Sequence, residues 1–380
     1  MAVNLDQVID QQQHHQQRQQ SDITNSAEQR YNDLKNHGYY EDGITDKFDH
    51  DQVPNWFDLK KYERCIYLAR KHFVSLYIAH FIGLLMIIQI PSGLAPLLVT
   101  GNSSTVAKLF RRYLSTLIHV RNWYESNPFD KQSLANKSML KVRAMHKRVA
   151  QLMNSRPNVD GVKDKLWLNQ YDFVMTQWAF IGPVILYPDE CGLRPASAED
   201  IEHLCYMWRV ISYCIGIDDK YNLCSGNMDE DRQLCRLLFE RDYRPVLENA
   251  EIQNNMGWHM GNGITLALKT INPSLSFEAL ISYWYPVLKI PHKIKLDSFF
   301  LKLSYYYLYF NFQIMLRFSF AHWLYGWAYR LLIAIAIKKR QIKENLLKLK
   351  YKDLKYEEEK CPINHIDIQY SDAFDEKINY

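Results

Sequence analysis

Turn formers are scarce in this chain, with 14 glycines and 13 prolines in 380 residues. A barrel or sandwich of many short strands needs more of them. Also missing are the GxxxxGKS/T phosphate loop, a GxGxxG turn, HExxH and GxSxG. Their absence removes the usual motif-level case for a nucleotide site, a zinc protease or an esterase. The seven cysteines, at 65, 191, 205, 214, 224, 235 and 361, show no paired CxxC spacing. Neither a disulfide framework nor a zinc ribbon is indicated, and buried reduced thiols are expected. A di-iron bundle wants paired ExxH motifs and two further carboxylates. Asp200-x-x-His203 comes nearest and has no counterpart. A formal charge of +4 requires no long nucleic-acid face. The first twenty residues hold no apolar stretch, so no cleaved secretory signal is expected and a cytoplasmic setting follows.

Aromatic residues are plentiful instead: 26 Tyr, 17 Phe and 9 Trp. Together with the shortage of turn formers they indicate long helices with bulky cores, an all-α fold in one large domain. Residues 1–55, with the run QQQHHQQRQQ, read as a low-complexity disordered tail. Residues 56–325 read as the helical domain, and 326–380 as a charged helix and loose tail with possible contact to a membrane surface. Helical periodicity marks roughly 58–89, 103–124, 134–154, 166–187, 197–216, 229–242, 275–285 and 297–337. Turn signals stand at Pro91-Ser92-Gly93, Ser126-Asn127-Pro128, Arg156-Pro157-Asn158 and Pro188 to Gly192. Ser197 with Asp200 reads as a helix start. No internal repeat is visible. The sequons at Asn102 and Asn136 sit beside apolar periodic segments and read as chance matches.

Two stretches invite a membrane reading. No Asp, Glu, Lys or Arg occurs over the 36 residues from His72 to Ala107. Pro91, Ser92, Gly93 and Pro96 interrupt it, which favours a buried core helix over a span. From Leu303 to Ile337 only Arg317 and Arg330 are charged, and Lys338, Lys339 and Arg340 follow. Trp323, Tyr325, Trp327 and Tyr329 precede that basic cluster, the pattern of a membrane-surface helix. A core helix with a charged tail fits it equally.

One helical pair stands out. KLFRRYLSTLIHVRNWY (Lys108–Tyr124) and SLANKSMLKVRAMHKRVAQLM (Ser133–Met153) flank ESNPFDKQS, a turn centred near Asp130. Arg112 and Thr116 are four apart and share a face. His146 lies on or beside the stripe of Val142, Met145, Val149 and Leu152. A hairpin folded at 130 brings Arg112, Thr116 and His146 to one level, ~24 Å from the turn at the helical rise. By themselves these residues also permit a core histidine bonded to a carbonyl, a buried arginine ion pair and a threonine bonded back to its own helix. Tyr171, Asp172, Gln177 and Arg209 read as a buried network that orients helices, with Asp172 and Arg209 as a candidate pair.

In HFIGLLMIIQIPSGLAPLLVTGNSSTVAKLFRRYLSTLIHV, VRAMHKRV, QYDFVMTQWAFIGPVILYP and MWRVISYCIGIDDKYNLC the chain resembles a known family. This is the ER-bound oxygenase and rubber (latex-clearing) oxygenase catalytic-domain family, in particular its animal branch. The matching words span about residues 60–250. The resemblance implies an all-helical fold around one non-covalent b-type haem. It implies His146 as proximal ligand to the iron, and Arg112 and Thr116 as the distal catalytic pair. The family's Arg-x-x-Lys-Thr pattern reads Arg112-Tyr113-Leu114-Ser115-Thr116 here, so Ser115 stands in the lysine's place. The family's upstream glutamate base also lacks a counterpart, since Leu94–Lys108 contains no acid. Within this reading Arg143 pairs with a haem propionate or makes a solvent salt bridge, and His119 is the reserve ligand. The expected function is a haem-dependent oxygenase using dioxygen on an apolar, isoprenoid-like substrate, at the cytosolic face of the ER if membrane contact is made. A haem carrier or sensor, an inactive relative, or a cofactor-free membrane-surface protein are the alternatives.

Overall fold

The computed structural model describes residues 5–43, 52–155 and 165–356. Helices dominate, and among the described residues there is no strand, only two isolated bridges, Asp42 with Asn169 and Thr105 with Lys355. The helices are α1 (Leu5–His37), α2 (Leu59–Lys71), α3 (Phe73–Ile87), α4 (Pro91–Val99), α5 (Val106–Trp123), α6 (Leu134–Asn154), α7 (Gln170–Leu186) and α8 (Ala198–Ile215). They continue as α9 (Met228–Leu238), α10 (Arg244–Leu247), α11 (Met256–Leu268), α12 (Phe277–Val287), α13 (Phe299–Gln313), α14 (Ser319–Lys338) and α15 (Arg340–Lys350). The all-α class is as expected.

Local chemistry sets many of the starts. Thr105, Ser133 and Asn169 each accept a hydrogen bond from the backbone N–H three residues on, which satisfies donors a helix leaves unpaired. Ser197 and Asp200 form a reciprocal capping box, as their spacing suggested. The α5–α6 hairpin turns where expected. Ser133 N–H donates to the Asp130 carbonyl, and the Asn136 side chain donates to the Pro128 carbonyl at 2.8 Å. Asn136 is therefore a buried turn brace, in line with its sequon being a chance match.

α3 and α7 form the centre of the bundle. They cross at Gly83, where an added Cβ would overlap the Ala179 backbone, so the two helices touch main chain to main chain. Nearly all of α3 is buried, and the uncharged run from His72 is core as far as Ile88. Beyond α3 the chain bends by 95° into α4. Trp178 stacks on Phe239 and donates Nε1–H to the Cys235 carbonyl at 2.9 Å, binding α7 to α9.

Four expectations change. Residues 5–37 carry α1, and Ala27, Tyr31 and Leu34 enter the core. Arg30 anchors it, 3.1 Å from Asp231 and 3.2 Å from Glu230, while Lys35 meets Asp242 at 2.8 Å. The polar composition that suggested disorder belongs to a helix needing only a narrow apolar stripe. The long helix expected over 297–337 is two, separated by a 3₁₀ turn at Met315–Arg317. Likewise 58–89 breaks at His72 into α2 and α3. The charged end expected to be a helix and loose tail rests partly on the bundle: α15 packs against α5 with Glu344 and Leu347 buried. The turn signal at Arg156-Pro157-Asn158 and the tail beyond residue 356 lie outside the described residues.

Candidate functional site

A cavity of about 290 Å³ opens among α3 to α8. Its walls are mostly aliphatic and aromatic, including Leu84, Ile87, Leu97, Phe173, Phe180 and Trp208. Its polar side chains are a minority: Ser92, Thr100, Arg112, Asp172, Thr176, Gln177 and Ser212, with Lys141, His146 and Arg148 from α6. A mostly apolar hollow with a few converging polar groups is the usual form of a small-molecule or cofactor site.

His146 is the histidine of this cavity among the described residues. Its Nδ1 is buried and has no hydrogen-bond partner. Its ring meets Phe173 edge-on, with centroids 5.3 Å apart. Removal from water, then the neighbouring Arg112 and His119, lower its pKa to about 4. The imidazole is thus neutral at physiological pH, the form that ligates a metal. Arg112 lines the same cavity and is braced from α4 and the loop after it. Its Nη1 donates to the Leu97 carbonyl (3.3 Å), Thr100 Oγ1 (3.3 Å) and Ser103 Oγ (3.1 Å).

The level drawn from the hairpin therefore brings Arg112 and His146 to one cavity. Thr116 is placed differently. It lines a smaller neighbouring void of about 110 Å³, which shares Leu84, Ile87, Thr176 and Phe180 with the first. Its Oγ1 donates to the Arg112 carbonyl at 3.1 Å, the back-bonded arrangement of a threonine inside a helix. Four residues advance a helix by a full turn and about 40° more, enough to turn 116 past the wall that 112 faces. Arg143 is not among the cavity's lining residues. It is buried and donates to the Cys214 carbonyl of α8 at 3.3 Å. The basic groups beside His146 are instead Lys141 and Arg148. The spacing 141, 145, 148 marks them as one face of α6. His119 is engaged elsewhere, its Nδ1 2.7 Å from Ser138 Oγ.

Asp172 is the polar group whose place in the site sequence reasoning missed. Leu168 adopts a left-handed backbone (φ 53°) that turns the chain into α7. Asn169 then caps the helix by accepting from the Asp172 N–H at 2.8 Å, setting Asp172 in the first turn. Its side chain lines the cavity and its Oδ1 has no partner. Burial raises its pKa to about 6, with Ser92 and Lys165 pulling it back only in part. The expected partnership with Arg209 does not form. Arg209 makes a two-pronged pair with Asp219, at 2.9 and 2.6 Å, and its guanidinium lies over Trp56 at 4.1 Å. An acid in the turn just after α8 captures the guanidinium locally. Gln177 does act as a brace, donating to Asn222 Oδ1 at 2.8 Å and accepting from Leu223 N–H at 3.0 Å.

A hydrogen-bond chain stiffens one wall. Trp208 Nε1–H donates to Tyr124 Oη (2.9 Å), Tyr124 donates to His80 Nε2 (2.5 Å), and His80 Nδ1–H donates to the Phe180 carbonyl (2.8 Å). The carbonyl can only accept, which assigns the ring proton to Nδ1. Both nitrogens of His80 are thereby used, leaving His146 as the histidine with capacity for a ligand in this region. Among the described residues no three His, Cys, Asp or Glu side chains gather to hold a bare ion. A metal at His146 would therefore need ligands brought by a cofactor.

No protein-family model and no curated protein matches this chain. Among solved structures, the latex clearing protein LCP in its closed state aligns with a TM-score of 0.53. The alignment covers 75% of this chain and 76% of that one at 14% identity. The likeness is one of fold, and it is the fold that the resemblance in sequence implied.

Proposed function

We propose that this chain is a rubber-oxygenase relative that holds a b-type haem at His146 and oxidises an apolar, isoprenoid-like molecule. The observation that carries the reading is His146 itself. It is a neutral imidazole with an unpartnered Nδ1, facing an apolar cavity that also receives a braced arginine. The residues suit a haem. One imidazole serves the iron, apolar walls take the macrocycle, and Lys141 and Arg148, which line the same cavity from α6, are suited to its carboxylates, the part first expected of Arg143.

When bound, the haem would supply iron-centred oxidation chemistry. The chain's own residues do the rest. His146 holds the group, and the aliphatic walls exclude water and orient an apolar substrate. The Arg112 guanidinium offers hydrogen bonds to negative charge that develops on oxygen. Asp172 Oδ1, unpartnered and close in pKa to neutrality, can accept and return a proton. Thr116 is left to the smaller void, which shares Leu84, Ile87, Thr176 and Phe180 with the main cavity. Cleavage of a carbon–carbon double bond follows from the resemblance alone.

A second reading, a haem carrier or sensor, has one observation in its favour. Ser115, in the place of the expected lysine, is wholly buried and does not line the cavity. Purified protein supplemented with haem should show a Soret band, and His146→Ala should abolish it. A colourless wild-type protein overturns both readings. If the band is present, incubation with dioxygen and a polyisoprenoid, followed by product analysis, separates oxygenase from carrier.

A further inference from the structure

The exposed apolar side chains of this molecule are concentrated in one stretch of the chain. Eighteen of the twenty-four exposed large hydrophobic residues described lie at or beyond Phe299. On α13, Phe299, Phe300 and Tyr306 are 74%, 77% and 66% exposed; on α14, Phe320, Trp323 and Trp327 are 65%, 66% and 59% exposed. Single exposed apolar side chains are ordinary, whereas two successive helices that each expose several aromatic rings point to an interaction surface.

α14 is the one described helix long and apolar enough to span a membrane by itself, yet its other face is committed. Ala321, His322, Gly326, Ile333 and Ala336 are buried, and the helix packs along α2, α3 and α5. His322 meets His72 edge-on at 4.8 Å, and Tyr329 is bonded to Asn272. Arg330, the mid-helix charge, donates to the Arg70 carbonyl at 2.8 Å and lies over Phe73. A helix packed on one side against α2, α3 and α5 leaves its other side for contact with a bilayer surface.

Charge identifies what covers the face. From Ser298 to Lys343 there is no Asp or Glu, while Lys302, Arg317, Arg330, Lys338, Lys339, Arg340 and Lys343 are present. Over 298–355 the chain has eleven Lys or Arg against two acids, Glu344 and Asp353. The whole chain is only +4, so everything outside this segment is net acidic. A second copy docked face to face would set these cations against each other with almost no acid to meet them. Anionic lipid meets both halves of the pattern, because Trp, Tyr and Phe settle at headgroup depth and Lys and Arg pair with the phosphates and carboxylates.

We propose that α13 and α14 form an interfacial docking face for an anionic lipid bilayer, with the basic stretch from Lys338 through α15 as its electrostatic flank. This is independent of what the cavity holds. The test is co-sedimentation of the full chain with phosphatidylcholine vesicles, with and without phosphatidylserine. Binding should require phosphatidylserine and weaken as ionic strength rises. Lys338→Glu with Lys339→Glu should weaken it by about fivefold or more per charge at low salt. Trp323→Ser with Trp327→Ser should abolish it without altering far-UV circular dichroism. Should that pair fail to fold, tryptophan quenching of the wild type by brominated lipid reads the same contact. Equal binding to neutral vesicles, binding to neither, or no quenching overturns the proposal. A solution dimer that the tryptophan substitutions disperse also overturns it, in favour of a second copy.

Discussion

His146 and Asp172 face one cavity with environments that oppose their charged forms. Burial lowers the imidazole to about 4 and raises the carboxyl to about 6. At pH 5 both are largely neutral, whereas at pH 8 Asp172 is ionised inside an apolar hollow. A carboxyl whose folded pKa lies above its unfolded value favours folding below the unfolded value. That stability is lost as pH rises through about 6. Asp172→Asn should therefore stabilise the protein relative to wild type at pH 8, on the order of 1–3 kcal/mol, with the gain vanishing near pH 4. Urea melts of both proteins at the two pH values check this. No gain at pH 8 would show that Asp172 is better partnered than its open Oδ1 implies. The residue scale is also where spacing was most informative. Arg112 and His146 were legible because a hairpin converts a sequence interval into a level. Which way each side chain turns was not. Thr116, Arg143 and Asp172 needed the azimuth of three helices and the positive-φ turn at Leu168, which leucine does not advertise.

At the scale of elements, apolar periodicity located most of the interior helices, and α6 has the expected bounds. Breaks inside apolar stretches escaped it. Charge falls away at His72 but no glycine or proline marks a joint there, and Ile314 to Phe318 stays apolar apart from Arg317, so nothing in the local sequence signals either break. α1 escaped for the opposite reason. Among its described side chains the buried apolar stripe is Ala27, Tyr31 and Leu34, set among polar residues, and ion pairs attach it. Arg30→Ala tests that attachment. Asp231 is almost wholly buried, and losing its cation should cost on the order of 3 kcal/mol, seen as a lower midpoint in denaturant. An unchanged midpoint would mean that α1 adds little to the bundle.

For the molecule as a whole, much of the aromatic excess is packed core, and two aromatic surfaces stand apart from it, one turned inward around the cavity and one turned outward on α13 and α14. Ligand linkage reports on the inner one. A ligand held by the folded chain stabilises it by about 2.7 kcal/mol at a hundredfold excess over its Kd. Haem should therefore raise the melting temperature of the wild type and leave that of His146→Ala unmoved, as differential scanning fluorimetry would record. Equal shifts in both proteins would place the ligand elsewhere.

The contact of α3 with α7 at Gly83 has a bearing on that inner room. Leu84 and Ile87 lie just beyond it on one helix, and Thr176 and Phe180 flank Ala179 on the other. Because backbone rests on backbone there, the separation of the two helices is gauged by the pivot and not by the side chains that line the room. The arrangement works like a calliper with its screw tightened. Trimming a lining residue widens the chamber while the arms keep their setting, so the range of molecules admitted can change without rebuilding the frame.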